Sequence, residues 1–411
     1  MEANKRVFVT GIGIISPVGI GKEEFWTSLK NMVDGSAVEE ELLHSGCGST
    51  KTCRVKSNDF SSLLDTYNHR RFSKNIKYAI AGIELAVKDA NINLFDYEEY
   101  RKGLIFNTIR GSYESTVNFL ETLFEKGPEF LSPLKFPLTV TNSPATPVSI
   151  KYKLKGPSTV LQGSSSVLLA YTKLKNNEAD VIICGGVDVI CSLDLVMSFA
   201  HNNTLATNLD GNLEVSFPAD ARRNGIIYGE ASAFVVLENE DSLSKRNATA
   251  YSEITGCGVA YDHEAIKKFT KRNPDKFVQA MNMAISNSKI SSFQIGYINS
   301  AANSSKEVDL AEATAIKQVF HSNHIPIGDY RGSTGEILGA SEIMGIIQSS
   351  LSLSKNELLP IANLKEIDPE LNLNYLMKPC NFIKNQEYVI SNSIEIGGNT
   401  SSIVLKKVED Y

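Results

Sequence analysis

The sequence predicts an α/β protein made of two related halves, and three observations carry that prediction. β-branched apolar runs alternate with helix-period segments along the whole chain, the pattern of sheets covered by helices on both faces. A unit of helix, polar connection and strand recurs at roughly half-chain spacing. The chain's 411 residues exceed what a single ordinary core holds, so two domains or a duplication is expected.

The elements follow in order. Residues 7–15 form a β-branched strand that ends at Pro17 and Gly19. Residues 77–91 place Ile80, Ile83, Leu85, Ala86 and Val87 at helical spacing, and residues 104–108 then read as a buried strand. Residues 277–287 are again helix-like, 288–295 polar and 296–299 a strand, so "ANINLFDY" in the first half is echoed by "SKISSFQI" in the second. Strands at 181–184 and 233–238 close the first half. The polar run "DSLSKRNAT", residues 241–249, marks the boundary, giving halves 1–245 and 246–411. Residues 388–394 and 401–406 form a hairpin across Gly397 and Gly398.

Composition excludes several function classes. With 42% hydrophobic and 21% charged residues the chain is of the soluble globular kind. A net charge of −6 argues against a nucleic-acid partner, which needs surplus Lys and Arg. Cys47, Cys53, Cys184, Cys191, Cys257 and Cys380 contain no CxxC pair, so neither zinc nor a disulfide framework is indicated and a reducing cytoplasm is expected. Residues 7–20 follow Lys5 and Arg6 as a signal peptide would, but Thr10, Gly11, Gly13 and Pro17 interrupt the apolar run. No run reaches the roughly eighteen apolar residues of a membrane span. Without a metal-ligand cluster or a phosphate loop, no bound cofactor is expected.

The most informative segment is "GPSTVLQGSSSVLLAYTKLK", residues 156–175. A strand over Thr159, Val160, Leu161 and Gln162 breaks at Gly163 and restarts as a helix over 166–175, which puts Ser165 on a tight strand-to-helix elbow. Such a turn presents a nucleophile beside helix N-terminal amides. The other reading is that Ser164, Ser165 and Ser166 cap the helix.

Six motifs stand in order from end to end: "RVFVTGIGIISPVG" at the start, "KGPS" at 155–158, "CGGVD" at 184–188, "PADARRNGIIYGE" at 218–230, "STGEILGASE" at 333–342 and "SNSIEIGGN" at 391–399. Together they resemble the β-ketoacyl synthases of the thiolase fold, which implies duplicated αβ units in a five-layer αβαβα arrangement. Active members of that family carry an elbow cysteine, two histidines and a lysine. The resemblance places these at Ser165, Ala301, Glu336 and Arg331, so this chain keeps none of them. The substitutions matter chemically. Condensation needs a thiolate to hold the acyl chain and imidazole donors to stabilise the enolate left by decarboxylation. Serine without a neighbouring base is a poor nucleophile, and a carboxylate at 336 would repel the enolate. His44, His69, His201, His263, His321 and His324 all fall outside the motifs and read as surface or loop residues, and Cys184 as a small buried residue. Gly163 to Val167 reads GSSSV and so misses the last glycine of a serine-hydrolase elbow.

Within the family, a chain stripped of the catalytic set resembles the chain length factor, the ketosynthase β subunit of type II polyketide synthases. That likeness implies that the chain is no enzyme on its own but the non-catalytic half of a heterodimer. The expected mate is a catalytic ketosynthase subunit, and an acyl carrier protein would deliver malonyl and polyketide chains. Residues 103–132 look like the segment that bears tunnel-gating side chains, and the alignment puts the gate on Tyr113, Thr116 and Leu120, which share one helix face. The same spacing also fits an ordinary core face. Side chains crossing the tunnel would stop growth once added carbons overpack it. The family pairs through the strand before the elbow, here Thr159, Val160, Leu161 and Gln162. Arg70 and Arg71 match a basic position near the tunnel mouth that would touch the carrier protein; a solvated pair is the alternative. Many chain length factors carry glutamine at the elbow, but here it is Ser165, and Gln162 lies in the strand. Two other classes stay open: a decarboxylase or hydrolase using Ser165, and a homodimeric scaffold that binds the carrier.

Overall fold

The computed structural model describes residues 4–408 apart from 47, 58–59, 68, 164, 267–270 and 383–386. Its elements fall into two runs of the same kind. The first is β1 (Val7–Ser16), α1 (Lys74–Asp89), β2 (Lys102–Asn107), α2 (Tyr113–Lys126), β3 (Ser158–Leu161), α3 (Ser166–Lys175), β4 (Val181–Asp188) and β5 (Ala231–Asn239). The second is β6 (Ser252–Tyr261), α4 (Pro274–Asn287), β7 (Ile295–Asn299), α5 (Lys306–Phe320), β8 (Ile327–Gly328), α6 (Ser341–Lys355), β9 (Tyr388–Ile394) and β10 (Asn399–Lys406).

The strands lie in the order β3-β2-β4-β5-β1-β6-β10-β9-β7-β8. In each half the first strand runs antiparallel to the last, the last antiparallel to the one before it, and the remaining pairs are parallel. The halves meet where β1 pairs antiparallel with β6, Val7 opposite Ile254. This is the duplicated, thiolase-like α/β architecture expected from the motifs.

Side-chain alternation builds the five layers, because successive residues of a strand face opposite sides of its sheet. On β2, Ile105 joins the central core with Val167 and Leu174 of α3 and Ile343 and Ile347 of α6. Its neighbours Leu104 and Phe106 face the outer helix and pack with Ile76, Ile80 and Ile83 of α1. In the second half, Ile298 and Ile390 pack outward against Phe277 and Met281 of α4 and Ile316 of α5. α3 and α6 thus lie between the two sheets, and α1, α4 and α5 cover the outside.

A second echo of the duplication lies in the first strand of each half. Thr10-Gly11-Ile12-Gly13 and Thr255-Gly256-Cys257-Gly258 stand at matching places, and β1 and β6 each shift register at the threonine. A Cβ on Gly13 would lie 2.0 Å from the Gly82 carbonyl of α1, and one on Gly258 2.1 Å from the Ala280 carbonyl of α4. Both glycines are there because a helix backbone rests directly on the strand.

The two outer edges of the sheet differ. At β8 the Ile327 amide donates to the Asn374 carbonyl at 2.9 Å and the Leu376 amide donates to the Ile327 carbonyl at 2.8 Å, so a following segment covers that edge. β3 pairs with β2 alone. Among the described residues no helix is long and apolar enough to cross a membrane.

Candidate active site at the strand-to-helix elbow

β3 ends at Leu161 and α3 starts at Ser166, so the chain turns within residues 162–165. Gly163 has φ 118°, and a Cβ there would lie 1.7 Å from the Glu395 carboxylate. Ser165 has φ 88°, in the left-handed region that L-residues with a side chain seldom occupy. Such held strain is a feature of functional turns.

The capping reading of the serines is corrected. Ser165 makes no side-chain cap. Ser166 is buried, its hydroxyl accepting from Asn107 Nδ2 at 2.8 Å and donating to the Gly185 carbonyl at 3.3 Å. Ser164 lies outside the described residues. The cap is Glu342 of α6, whose carboxylate accepts from the Ser165 amide at 3.2 and 3.3 Å and from the Val167 amide at 3.5 Å. A carboxylate there is favoured by the helix dipole. Burial pushes its carboxyl above the usual range, against Ser401, the two amides and Asn107, which favour the ionised form. The Glu342 carboxyl group therefore occupies the helix end beside the elbow.

The other family positions are joined to this turn by hydrogen bonds. Arg331 and Glu336 are fully buried and paired, Nε to Oε2 at 3.2 Å. Arg331 also donates through Nη1 to the Ser300 carbonyl at 2.9 Å and pairs with Asp329 at 3.3 Å. Desolvation works against its charge, but Tyr330, Asp329, Glu336 and Glu312 hold the guanidinium above its ordinary value. Glu336 accepts from Asn303 at 3.2 Å, the Ile337 and Leu338 amides at 3.1 and 3.2 Å and the Ser341 hydroxyl at 2.5 Å. It is thus a neutralised, saturated acceptor rather than the free repelling charge anticipated from its residue type. Ala301, which the motif resemblance sets at the first histidine position, is buried with its amide donating to Glu312 at 2.9 Å. Ser300, Arg331, Glu336, Ser341 and Glu342 form a line from Ala301 to Ser165.

Glu342, Glu395 and Arg272 escaped the sequence reading. Arg272 donates to the Glu395 carbonyl. Burial lowers its guanidinium to about 10, against Asp262, Glu395 and Glu336, which favour the charge. The signal was an acidic residue within each of two glycine-bearing motifs, "GASE" and "IEIGG".

The remaining predicted residues lie elsewhere. Tyr113, Thr116 and Leu120 sit on α2, a helix with no buried residue, so the core-face alternative is overturned. Tyr113 is 36% and Leu120 41% exposed, the Arg110 guanidinium stacks 4.5 Å from the Tyr113 ring, and Thr116 donates to the Thr139 carbonyl at 3.0 Å. Thr159, Val160 and Leu161 are on the open edge strand, with Gln162 just beyond it. Arg70 and Arg71 lie exposed on a short 3₁₀ turn. His44, His263, His321 and His324 are exposed; His69 is half-buried and held by the Leu64 and Tyr67 carbonyls. The side chain of His201 lies outside the described residues. Cys184 is buried, and desolvation pushes its thiol up.

Comparison with known proteins supplies the remaining context. Residues 4–242 match the family model "Beta-ketoacyl synthase, N-terminal domain" and residues 251–365 its C-terminal counterpart. The chain is 28% identical to the 3-oxoacyl-[acyl-carrier-protein] synthase 2 of Coxiella burnetii over 99% of both chains, and 27% identical to that of Staphylococcus aureus over the full length of both. Among solved structures it resembles the ishigamide ketosynthase/chain length factor, with TM-score 0.88 and 23% identity over 99% of this chain and 100% of that one. It also resembles a beta-ketoacyl synthase from Burkholderia phymatum, with TM-score 0.89 and 24% identity over 98% and 100%. The curated relatives are named as synthases and are matched along their whole length. They overturn the expectation that the chain is no enzyme on its own.

Proposed function

Since the chain belongs to the β-ketoacyl synthase family, we propose that it is the length-setting subunit of a type II polyketide condensing pair, a chain length factor working beside a ketosynthase. The observation that carries this reading is the filled elbow. Glu342 caps α3 where an acyl thioester would form, and the Arg331–Glu336 ion pair occupies the second histidine and lysine positions. In such a pair this subunit contributes tunnel wall and length limit.

The surface between Tyr113 and Leu161 supports a mate. Phe124 is 81% exposed and Leu134 70%, and Phe130 and Phe136 are exposed too. Apolar area on this scale beside an uncovered sheet edge marks an interaction face. Tyr113, Thr116 and Leu120 form the gate, β3 and Gln162 the interface strand, and exposed Arg70 and Arg71 the contact for an acyl carrier protein.

A second reading is favoured by the strained Ser165: chemistry at the elbow itself, as decarboxylase or hydrolase. Co-expression with a cysteine-bearing type II ketosynthase separates the two. The pairing reading predicts a one-to-one complex and product formation by the complex that survives Ser165→Ala. Loss of activity on Ser165→Ala, with the complex intact, would transfer the chemistry to the elbow, and failure to pair would remove the first reading.

A further inference from the structure

At the end of α3 opposite the elbow, about 15 Å along its axis, lies a cavity of about 570 Å³. Its wall is cationic, in a chain whose net charge is −6. Lys5 and Arg6 come from the lead-in to β1, Lys175 from the last turn of α3, Lys289 from just past α4, and Lys406 and Lys407 from the end of β10. Glu253 is the carboxylate among the lining residues, and Arg6 holds it at 2.6 Å. Lys5 is bound by Asp241 at 2.9 Å and Lys406 meets Glu387 only at 3.9 Å. Lys175 contacts the Tyr171 hydroxyl at 3.0 Å and Lys407 the Asn356 side-chain oxygen at 3.2 Å. Among the described residues, neither of these lysines nor Lys289 has a carboxylate partner.

A local duty explains part of this. Lys175 and Lys289 stand at helix C-termini, where a cation offsets the partial negative charge. The other four arrive from strand ends; Lys5 and Arg6 are paired, Lys406 is only loosely so, and Lys407 meets no carboxylate among the described residues. Like charges drawn together from separate elements repel one another, and the repulsion becomes attraction when a polyanion enters. Lysine serves phosphate as a mobile point charge. Thr255 and Asn287 add neutral polar groups, and the rings of Tyr171 and Tyr388 flank the space.

We propose that this cavity is a binding site for a small molecule bearing two or more phosphate groups, independent of the elbow and of the pairing face. Calorimetric titration of the full chain with inorganic pyrophosphate at low ionic strength tests it, with orthophosphate alongside. One saturable site is expected, tighter for pyrophosphate. The Lys175→Ala/Lys289→Ala variant should weaken it about a hundred-fold, about ten-fold for each lost charge-assisted contact. Lys175→Gln is the milder substitution should the double variant fold poorly. An exposed control pair, Lys153→Ala/Lys365→Ala, should leave the affinity unchanged. Unsaturable binding, or an equal loss in the control pair, would show diffuse attraction to lysine and overturn the proposal.

Discussion

Arg331 and Glu336 form a buried ion pair near the elbow. Both are fully buried, and Arg331 is the shared counter-charge of Glu336 and Asp329. Removing the cation strips both carboxylates of that charge, so Arg331→Leu should cost about 3–5 kcal/mol in urea unfolding and Glu336→Leu, which leaves Arg331 its Asp329 partner, less; the double variant should cost less than the sum of the two. Additive losses would mean that the pair does not act as a unit. A second residue gives a pH dependence. Asp309 is fully buried, and desolvation raises its carboxyl to about 6 despite the Arg223 guanidinium at 3.3 Å and the Ala219 and Asn303 amides. The folded chain then holds this proton more tightly than an unfolded aspartate near 3.9, so stability falls as pH rises from about 4 to about 6. Glu312 is raised as well and adds the same sign. Asp220, held at about 2 with burial opposed by Arg222 and backbone amides, titrates below that window. Asp309→Asn should therefore flatten the urea midpoint between pH 4 and pH 6; an unchanged slope would place its proton elsewhere. At this scale the sequence revealed which residue types stood at the family positions. It could not reveal Glu342 as the cap, because Glu342 and Ser165 are far apart in the chain and only the stacking of α6 against α3 joins them.

At the level of elements, the strand-to-helix elbow and the edge strand were legible and the exposure of α2 was not. Gly163 announces a break between a β-branched run and a helical one, which a linear reading detects. A helix face at three- and four-residue spacing looks the same whether it faces a core or a partner subunit, so the openness of Tyr113, Thr116 and Leu120 needed three dimensions. The paired glycines of β1 and β6 make a sharper statement. Ala at Gly13 or Gly258 would put a methyl group against a helix carbonyl at about 2 Å. Each substitution should destabilise by about 1–3 kcal/mol as α1 or α4 is pushed outward. A loss below 0.5 kcal/mol for either would show that the helix does not rest on its strand. The Thr-Gly-x-Gly repeat is four residues long, too short to stand out in a sequence until the two strands are seen at matching places.

For the whole molecule, alternating strand and helix periods and six ordered motifs made the architecture legible, since an α/β duplication writes itself along the chain. The proposed assembly is less legible, because it would depend on surface that a single chain leaves bare: the uncovered β3 edge and the exposed aromatic residues Phe124, Phe130 and Phe136. One measurement reaches the central proposal most directly. The chain is reconstituted with a cysteine-bearing type II ketosynthase and a malonyl-loaded carrier protein, and products are weighed by mass spectrometry for the parent, Tyr113→Ala and Leu120→Ala. A length-setting subunit predicts products longer by one or more two-carbon units in at least one variant, because removing a side chain from the tunnel relieves overpacking. Products of unchanged length from both variants, at undiminished turnover, would contradict it.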